Sequence, residues 1–433
     1  MRILVLGAYG LIGMAVIRRL TEADHAVVGL GRNTNAAARM WPLAGWINAD
    51  ISRLTSPDSW AAILREAKPD AIINCAGALQ DGVRDDVTRV QHTAMCALYT
   101  AAQSHGLGHF IQISATRASS AAETVFQRSK GDADAALQKT ALEWTILRPG
   151  LVISPQAYGS TGLLRALAAF PLLQPLAFAD RPLQTVHVDD VATAVVQVLG
   201  GSVQSKQSYD LVEDQPQPLR EVVRKLRAWL GYAPAPEIRV PHWIIAAVGR
   251  IADGLGWLGW RSPMRTTALT EMAAGVTGDP APWRAATGAG LSSLDVTLQR
   301  IPSTVQERWF ARLYLLKPTV IATLSVFWIV SGLVAFAAPD MATAVLTSRG
   351  VDRMPAHIAV IGGAFSDVTL GLAIVFRRWL KTASLGMIGL TLCYLAGGTW
   401  LAPDLWADPL GPLVKTLPAL TLALVALAMA EDR

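Results

Sequence analysis

Met1-Arg-Ile-Leu-Val-Leu6-Gly7-Ala8-Tyr9-Gly10-Leu11-Ile12-Gly13 decides the fold. The first six residues form a short apolar run that reads as a buried strand. Gly7, Gly10 and Gly13 follow at even spacing, and Met14 to Leu20 continues with helical period. A strand, a glycine turn and a helix in that order make a corner that holds phosphate. Gly7 permits the tight turn, Gly10 lets the backbone approach a pyrophosphate, and Gly13 lets the helix pack closely on the sheet. The N–H groups at the helix start then face the anion. Tyr9, Leu11 and Ile12 belong to the same corner and are expected to contact the ligand with it. The run is read as a strand and not as a secretion leader, because it lacks a basic flank and enters the corner directly.

Outward from the corner, His25 to Leu30 is a second strand, ending at Gly31-Arg32. It ends about 20 residues on, where an acid would take the ribose 2′-OH of NAD and a base the 2′-phosphate of NADP. Arg32, with Arg39 beyond it and no acid nearby, favours NADP(H) while leaving NAD(H) open; the alternative is a solvated loop arginine. Trp46 to Ile51 reads as a short strand whose end, Asp50 and Ile51, would flank an adenine ring. Asp70 to Gly77 is another buried strand, ending in the small residues Cys75, Ala76 and Gly77. Helical stretches, among them Val87 to Ser104, separate these from a strand at Phe110 to Ala115. The alternation predicts an α/β fold with a doubly wound parallel sheet, helices covering both faces.

Further motifs join these. The set Gly7-x-x-Gly10-x-x-Gly13, Asp50-Ile51, Asn74-Cys75-Ala76-Gly77, Ile113-Ser114-Ala115, Arg148-Pro149-Gly150 and His187-Val-Asp189-Asp190 resembles the short-chain dehydrogenase/reductase superfamily. Its extended and atypical branches are the nearest in pattern: nucleoside-sugar epimerase-like proteins, NmrA-like proteins and an accessory subunit of respiratory complex I. The resemblance spans about residues 1–300. It implies a Rossmann fold with bound NAD(P), Pro149 and Gly150 joining the cofactor-binding set. It also implies two catalytic positions, Ser114 and Lys130. Family catalysis pairs a Tyr with a Lys four residues later, on one helical face. The Lys lowers the Tyr pKa and holds the nicotinamide ribose, and the Tyr exchanges the proton. Here the stretch is Thr124-Val-Phe126-Gln-Arg-Ser129-Lys130, with Phe126 at the tyrosine position. Phenylalanine cannot exchange a proton. Either Tyr158, in the loop after Arg148-Pro149-Gly150, substitutes, or hydride passes to a flavin or quinone that draws its proton from water, or nothing turns over. Asp189 is expected to cap the next helix and His187 to be structural.

The chain has 433 residues, so two or three domains are expected. Hydrophobic residues make up 52% and charged ones 16%, an oily balance concentrated after about residue 315. Four apolar stretches, Pro318 to Ala338, His357 to Phe376, Thr382 to Leu401 and Pro412 to Ala430, approach the roughly 20 residues that cross a bilayer. They predict an all-α four-helix transmembrane bundle resembling the DoxX-like family, notably at Ile361-Gly-Gly-Ala-Phe-Ser-Asp367-Val-Thr-Leu-Gly371. The resemblance suggests oxidoreductase and quinone chemistry. Asp367, mid-span, is either functional or a structural hydrogen-bond acceptor. Arg308, Arg312 and Lys317 precede the first span, and Arg377, Arg378 and Lys381 divide the second from the third. The third-to-fourth loop has no Lys or Arg. Both termini are therefore expected in the cytoplasm, at the inner membrane.

Domain expectations are thus 1–240 for the dinucleotide domain with small substrate-cap elements, 241–314 for an amphipathic linker, and 315–433 for the membrane bundle. In the linker, Ile244, Val248, Ile251, Leu255 and Leu258 form a stripe flanked by Trp243, Trp257 and Trp260, suited to a membrane interface or to a lid over the cleft. The net charge of +5 is scattered, with no basic-aromatic tract for nucleic acid. The three cysteines have neither metal nor redox spacing, as in a reducing compartment. Together these features predict a membrane-anchored NAD(P)H-binding oxidoreductase-like protein with a lipophilic or quinone acceptor. The alternative is a catalytically weak NADP(H)-sensing or assembly protein of a membrane complex. Expected partners are the lipid bilayer and either further copies of the chain or a membrane complex.

Overall fold

The computed structural model describes residues 1–83 and 85–430; Arg84 and the last three residues of the expected membrane domain lie outside the described part. The chain forms two compact units, one of Met1–Gly254 with Arg261–Ala311, the other of Leu255–Trp260 with Arg312–Arg433. The stretch expected to link the halves is thus shared between them.

In the first unit, β1 (Arg2–Leu6), β2 (Ala26–Gly31), β3 (Gly45–Asn48), β4 (Ala71–Asn74), β5 (His109–Ile113), β6 (Trp144–Pro149) and β7 (Gln207–Leu211) build one sheet. Their order is β7-β6-β5-β4-β1-β2-β3, and every pairing is parallel. The strand order reverses between β1 and β4. At such a switch point the crevice beyond the strand ends is left open for a ligand. Side chains of a strand alternate between faces. Ile3 and Val5 therefore meet Val16, Ile17 and Leu20 of α1 (Leu11–Glu22), while Leu4 and Leu6 meet Trp60, Leu64, Leu98 and Tyr99. Both faces are covered, which is why β1 is apolar without alternation. Each such side chain, once fully buried, contributes roughly 1.5–3 kcal/mol.

The remaining helices that matter here are α2 (Ala94–Ser104), α3 (Val125–Gln138), α4 (Val188–Leu199), α5 (His242–Trp257) and α6 (Thr266–Ala274). The expected helix at Val87 to Ser104 starts with a π-helical segment, Arg89–Thr93, before α2. Residues 277–306 hold two helices, Ala281–Thr287 and Leu294–Arg300. Trp283 and Leu294 anchor them in the core. The expected stripe is half-buried at Ile244, Val248, Leu255 and Leu258 and exposed at Ile251. Gly249, Ala252 and Gly256 are the buried residues, while Trp243, Ile251 and Trp257 are exposed. The small side chains win because α6 approaches closely: a Cβ on Gly249 would lie 3.0 Å from Leu269 and 3.2 Å from Thr266.

Three helices, α7 (Val305–Ala337), which starts in the first unit and runs on into the second, and α8 (Arg353–Ala373) and α9 (Leu380–Leu401) of the second, are long and apolar enough to cross a membrane. The fourth apolar helix, α10 (Thr416–Ala428), has 13 residues, fewer than the roughly 20 of a simple span. The first helix begins before Pro318, which lies inside it and not at its start. Small residues let α7 and α8 approach. A Cβ on Gly332 would lie 2.5 Å from Ala364 O, and Ser325 Oγ donates to Gly371 O at 2.7 Å. Asp367 is buried and accepts from Ser331 Oγ of α7 and Tyr394 Oη of α9, each at 2.9 Å.

Candidate dinucleotide site

Gly7 has φ +66°, and a Cβ there would lie 2.7 Å from Ala76 Cα. Gly13 is tighter still, with a Cβ only 2.3 Å from Gly7 O. The turn's own backbone thus excludes a side chain at Gly13, where packing on the sheet was expected to do so. Gly10 N–H donates to Gly7 O at 2.9 Å and Gly10 caps α1, which opens with Leu11 and Ile12. No side chain caps this helix, and its first turn holds no acid. Its start therefore offers backbone N–H groups and a positive dipole end to an anion. The cradle fits a dinucleotide pyrophosphate.

Tyr9 ties this corner to β2. Its ring lies where a Cβ on Gly31 would come within 2.2 Å, and its Oη accepts the Arg32 N–H at 3.0 Å. Asp50 caps the turn Ile51–Arg53, accepting from Ser52 N and Oγ at 3.1 and 2.8 Å, and Ile51 is buried. The expectation that no acid attends Arg32 holds only along the chain. Asp85 reaches it in space, with Arg32 Nη2 2.8 Å from Asp85 Oδ1 and Arg261 Nη2 2.5 Å from Asp85 Oδ2. Burial pushes the Asp85 carboxyl up, but the two arginines prevail and hold it below the usual range.

The second half of the site lies along α3. Thr124 caps the helix, accepting from Gln127 N–H, and so fixes which face meets the sheet. Phe126, Lys130 and Asp134, four residues apart, share that face. Lys130 is 6% exposed; its Nζ donates to Ile113 O at 3.0 Å and stands 5.8 Å from the Phe126 ring centroid. A Cβ on Gly77 would lie 3.7 Å from Nζ, so the lysine sits beside the Cys75–Gly77 stretch that follows β4. Burial lowers the Lys130 pKa, against the pull of Asp134 and Cys75. Burial likewise pushes the Cys75 thiol up to about 12, which keeps it protonated and unreactive.

Ser114 Oγ donates to Asp134 Oδ2 at 2.8 Å, and Arg148 Nη2 reaches the same oxygen at 3.1 Å. Burial raises the Asp134 pKa, outweighing Arg148, Ser114 and Lys130. Gln91, in the π-helical segment, donates to Ala78 O at 2.6 Å and accepts from Ser129 Oγ at 2.8 Å, so it braces the β4 loop against α3. Asp134, Gln91, Asp85 and Arg261 escaped the sequence reading; only Asp134 carried a signal, its helical spacing from Lys130. Pro149 ends β6, and Gly150 passes so close to Gln184 that a Cβ would lie 2.5 Å from its carbonyl oxygen. Tyr158 is exposed, and it helps to raise the Arg261 pKa. His187 caps α4, its Nδ1 accepting the Asp189 N–H at 3.1 Å. Asp189, expected in that role, pairs with Arg18 on α1 instead. The cap falls to His187 because the helix begins at Val188, which puts Asp189 inside its first turn.

Residues 7–200 match the family described as NAD(P)H-binding, and residues 325–424 match the DoxX-like family. The chain joins an NAD(P)H-binding Rossmann domain to a DoxX-like domain. An uncharacterised protein of Mycobacterium tuberculosis is 28% identical over 200 residues, 46% of this chain and 20% of that one. Subunit 9 of the NADH dehydrogenase (ubiquinone) 1 alpha subcomplex of Arabidopsis thaliana mitochondria is 25% identical over 199 residues, 45% of this chain and 49% of that one. This chain therefore spans between a fifth and half of the length of these curated relatives. Among solved structures, the Bordetella bronchiseptica enzyme WbmG in complex with NAD and UDP aligns with TM-score 0.53 at 15% identity, covering 70% of this chain and 93% of that one. The dTDP-glucose 4,6-dehydratase of Bacillus anthracis in complex with NAD aligns equally well, with TM-score 0.53 at 15% identity, covering 71% and 96%. These two likenesses show that the chain shares their fold.

Proposed function

We propose that the NAD(P)H-binding, DoxX-like chain is an oxidoreductase of the inner membrane that prefers NADP(H) and reduces a lipophilic acceptor of the quinone class. Lys130 carries the reading. An ammonium so deeply buried is costly to keep, yet it lies beside the end of β4 with one of its three N–H groups on Ile113 O. In this reading Gly7, Tyr9, Gly10, Leu11, Ile12 and Gly13 hold the pyrophosphate, Asp50 and Ile51 flank the adenine, and Arg32 takes the 2′-phosphate. Cys75, Ala76, Gly77, Pro149 and Gly150 line the remainder, Lys130 holds the nicotinamide ribose, and Ser114 positions the reacting group. The bound cofactor supplies the hydride; the chain supplies orientation and a water-poor floor. The cofactor domain occupies about 1–240, the bundle about 315–433 with four spans, and both termini are cytoplasmic by the placement of Arg and Lys.

The full chain in detergent, given NADPH and a short-chain quinone, should oxidise NADPH steadily, and Lys130→Ala should abolish this. Arg32→Asp should shift preference toward NADH; an unchanged preference sinks the 2′-phosphate assignment. Phe126 favours a second reading, in which the domain binds NADP(H) tightly and serves as a redox sensor or an assembly part of a membrane complex. The similarity to the plant NADH dehydrogenase subunit supports it. Tight NADPH binding without turnover across several acceptors would decide for this reading.

A further inference from the structure

Three charged side chains far apart in the chain meet beyond the end of β2. Arg32 and Arg261 each take a different oxygen of Asp85. Two guanidinium groups share one carboxylate, with Asp50 also acting on Arg32 through its charge. The acid is the least exposed of the three, at 18% against 40% for Arg32 and 50% for Arg261. Both arginines therefore keep faces that a ligand oxygen can reach from water. Arg261 also arrives on a fixed segment. Gln80 Nε2 contacts Ser262 O at 3.5 Å, Arg265 Nη1 donates to Asp81 O at 2.8 Å, and Arg265 Nε pairs with Asp253 at 3.0 Å. Residues 261–265 are thus strapped to the loop that follows β4.

We infer that Arg261 is a second determinant of the 2′-phosphate, and that Asp85 holds the two arginines together in the place the phosphate takes. The inference rests on the NADP(H) reading of Arg32. A phosphate monoester carries up to two charges and three acceptor oxygens, and the planar guanidinium fork matches it. It outcompetes a single carboxylate for two arginines. The 2′-hydroxyl of NAD(H) has no charge to offer and leaves the Asp85 pairs intact. Preference for NADP(H) then arises from a competition within the protein, and Asp85 sets its threshold.

The test uses the full chain in detergent, titrated with NADPH, NADH and adenosine 2′,5′-bisphosphate by calorimetry. Arg261→Gln should weaken NADPH and the bisphosphate about tenfold or more and leave NADH within about twofold. Asp85→Asn should tighten NADPH and the bisphosphate while leaving NADH unchanged. Arg261→Lys, which keeps the charge without the fork, should fall between wild type and Arg261→Gln, and guards against a misfolded variant. Equal effects of Arg261→Gln on NADPH and NADH, or none on either, overturn the inference. If Arg32→Asp still shifts the preference in that case, the NADP(H) reading survives without Arg261. If Arg32→Asp is also silent, both fall.

Discussion

Gly13→Ala sets two effects of opposite sign against each other. Gly13 lies inside α1, and alanine there should favour the helix by about 0.8–1.0 kcal/mol. The new Cβ, however, would stand 2.3 Å from Gly7 O, 2.8 Å from Ala8 O and 2.9 Å from Ala8 C, where ordinary contact begins at 3.4 Å. The carbonyl has to retreat by about 1 Å in a close-packed interior. It belongs to backbone, so no rotamer change relieves it. A Cβ on Gly7 would itself lie 2.7 Å from Ala76 Cα, so Gly7 sits close against the residues after β4 and has little room to move aside. Overpacking of this kind costs about 1–3 kcal/mol, and three backbone contacts place it near the top of that range. The expected net loss is about 1–2 kcal/mol. It should appear as a lower urea midpoint for the full chain in detergent. NADPH affinity should fall about tenfold, because the helix start is displaced from its anion. A variant as stable as wild type, or more stable, would show that propensity prevails and would refute the cradle geometry.

Three other outcomes are expected. Phe126→Tyr restores a phenol on the face shared with Lys130 and should raise NADPH oxidation with a quinone about tenfold or more; an unchanged rate shows that proton transfer is not what residue 126 limits. Burial lowers the His187 pKa below 6.5, so the unfolded chain takes a proton that the folded chain resists. Its stability is then whole above that value and lost as pH falls through it, and His187→Asn should flatten urea midpoints measured between about pH 8 and pH 5.5. Asp367→Ala strands the donors of Ser331 and Tyr394 and should cost about 1–3 kcal/mol in detergent, with Asp367→Asn milder; equal melting of Asp367→Ala and wild type contradicts this.

The Rossmann half was legible because its signals are local. A strand, a positive-φ glycine and a helix start lie within thirteen residues, and the apolar runs of β1 and β4 record burial on both faces. Which candidate residues lie together was legible where one element carries them, as with Phe126 and Lys130 on α3. It was not where folding brings distant residues together: Arg261 meets Asp85 across 176 positions, and no pattern along the chain announces it. Along α5, periodicity marked the large side chains, whereas the fully buried residues are the small Gly249, Ala252 and Gly256, of which Gly249 lies against α6. In the bundle, hydropathy found the apolar stretches but could not give the length of α10, because it registers composition and not where the helix stops.

The bond from Ser114 to Asp134 has a directional consequence. A hydroxyl owns one proton, and Ser114 gives its proton to the carboxylate. Its oxygen then turns only lone pairs toward whatever lies on the other side. The hydrogen-bond chain from Arg148 through Asp134 to Ser114 therefore has a polarity: Arg148 and Ser114 both spend donors on one carboxylate, and the Ser114 oxygen is left as an acceptor.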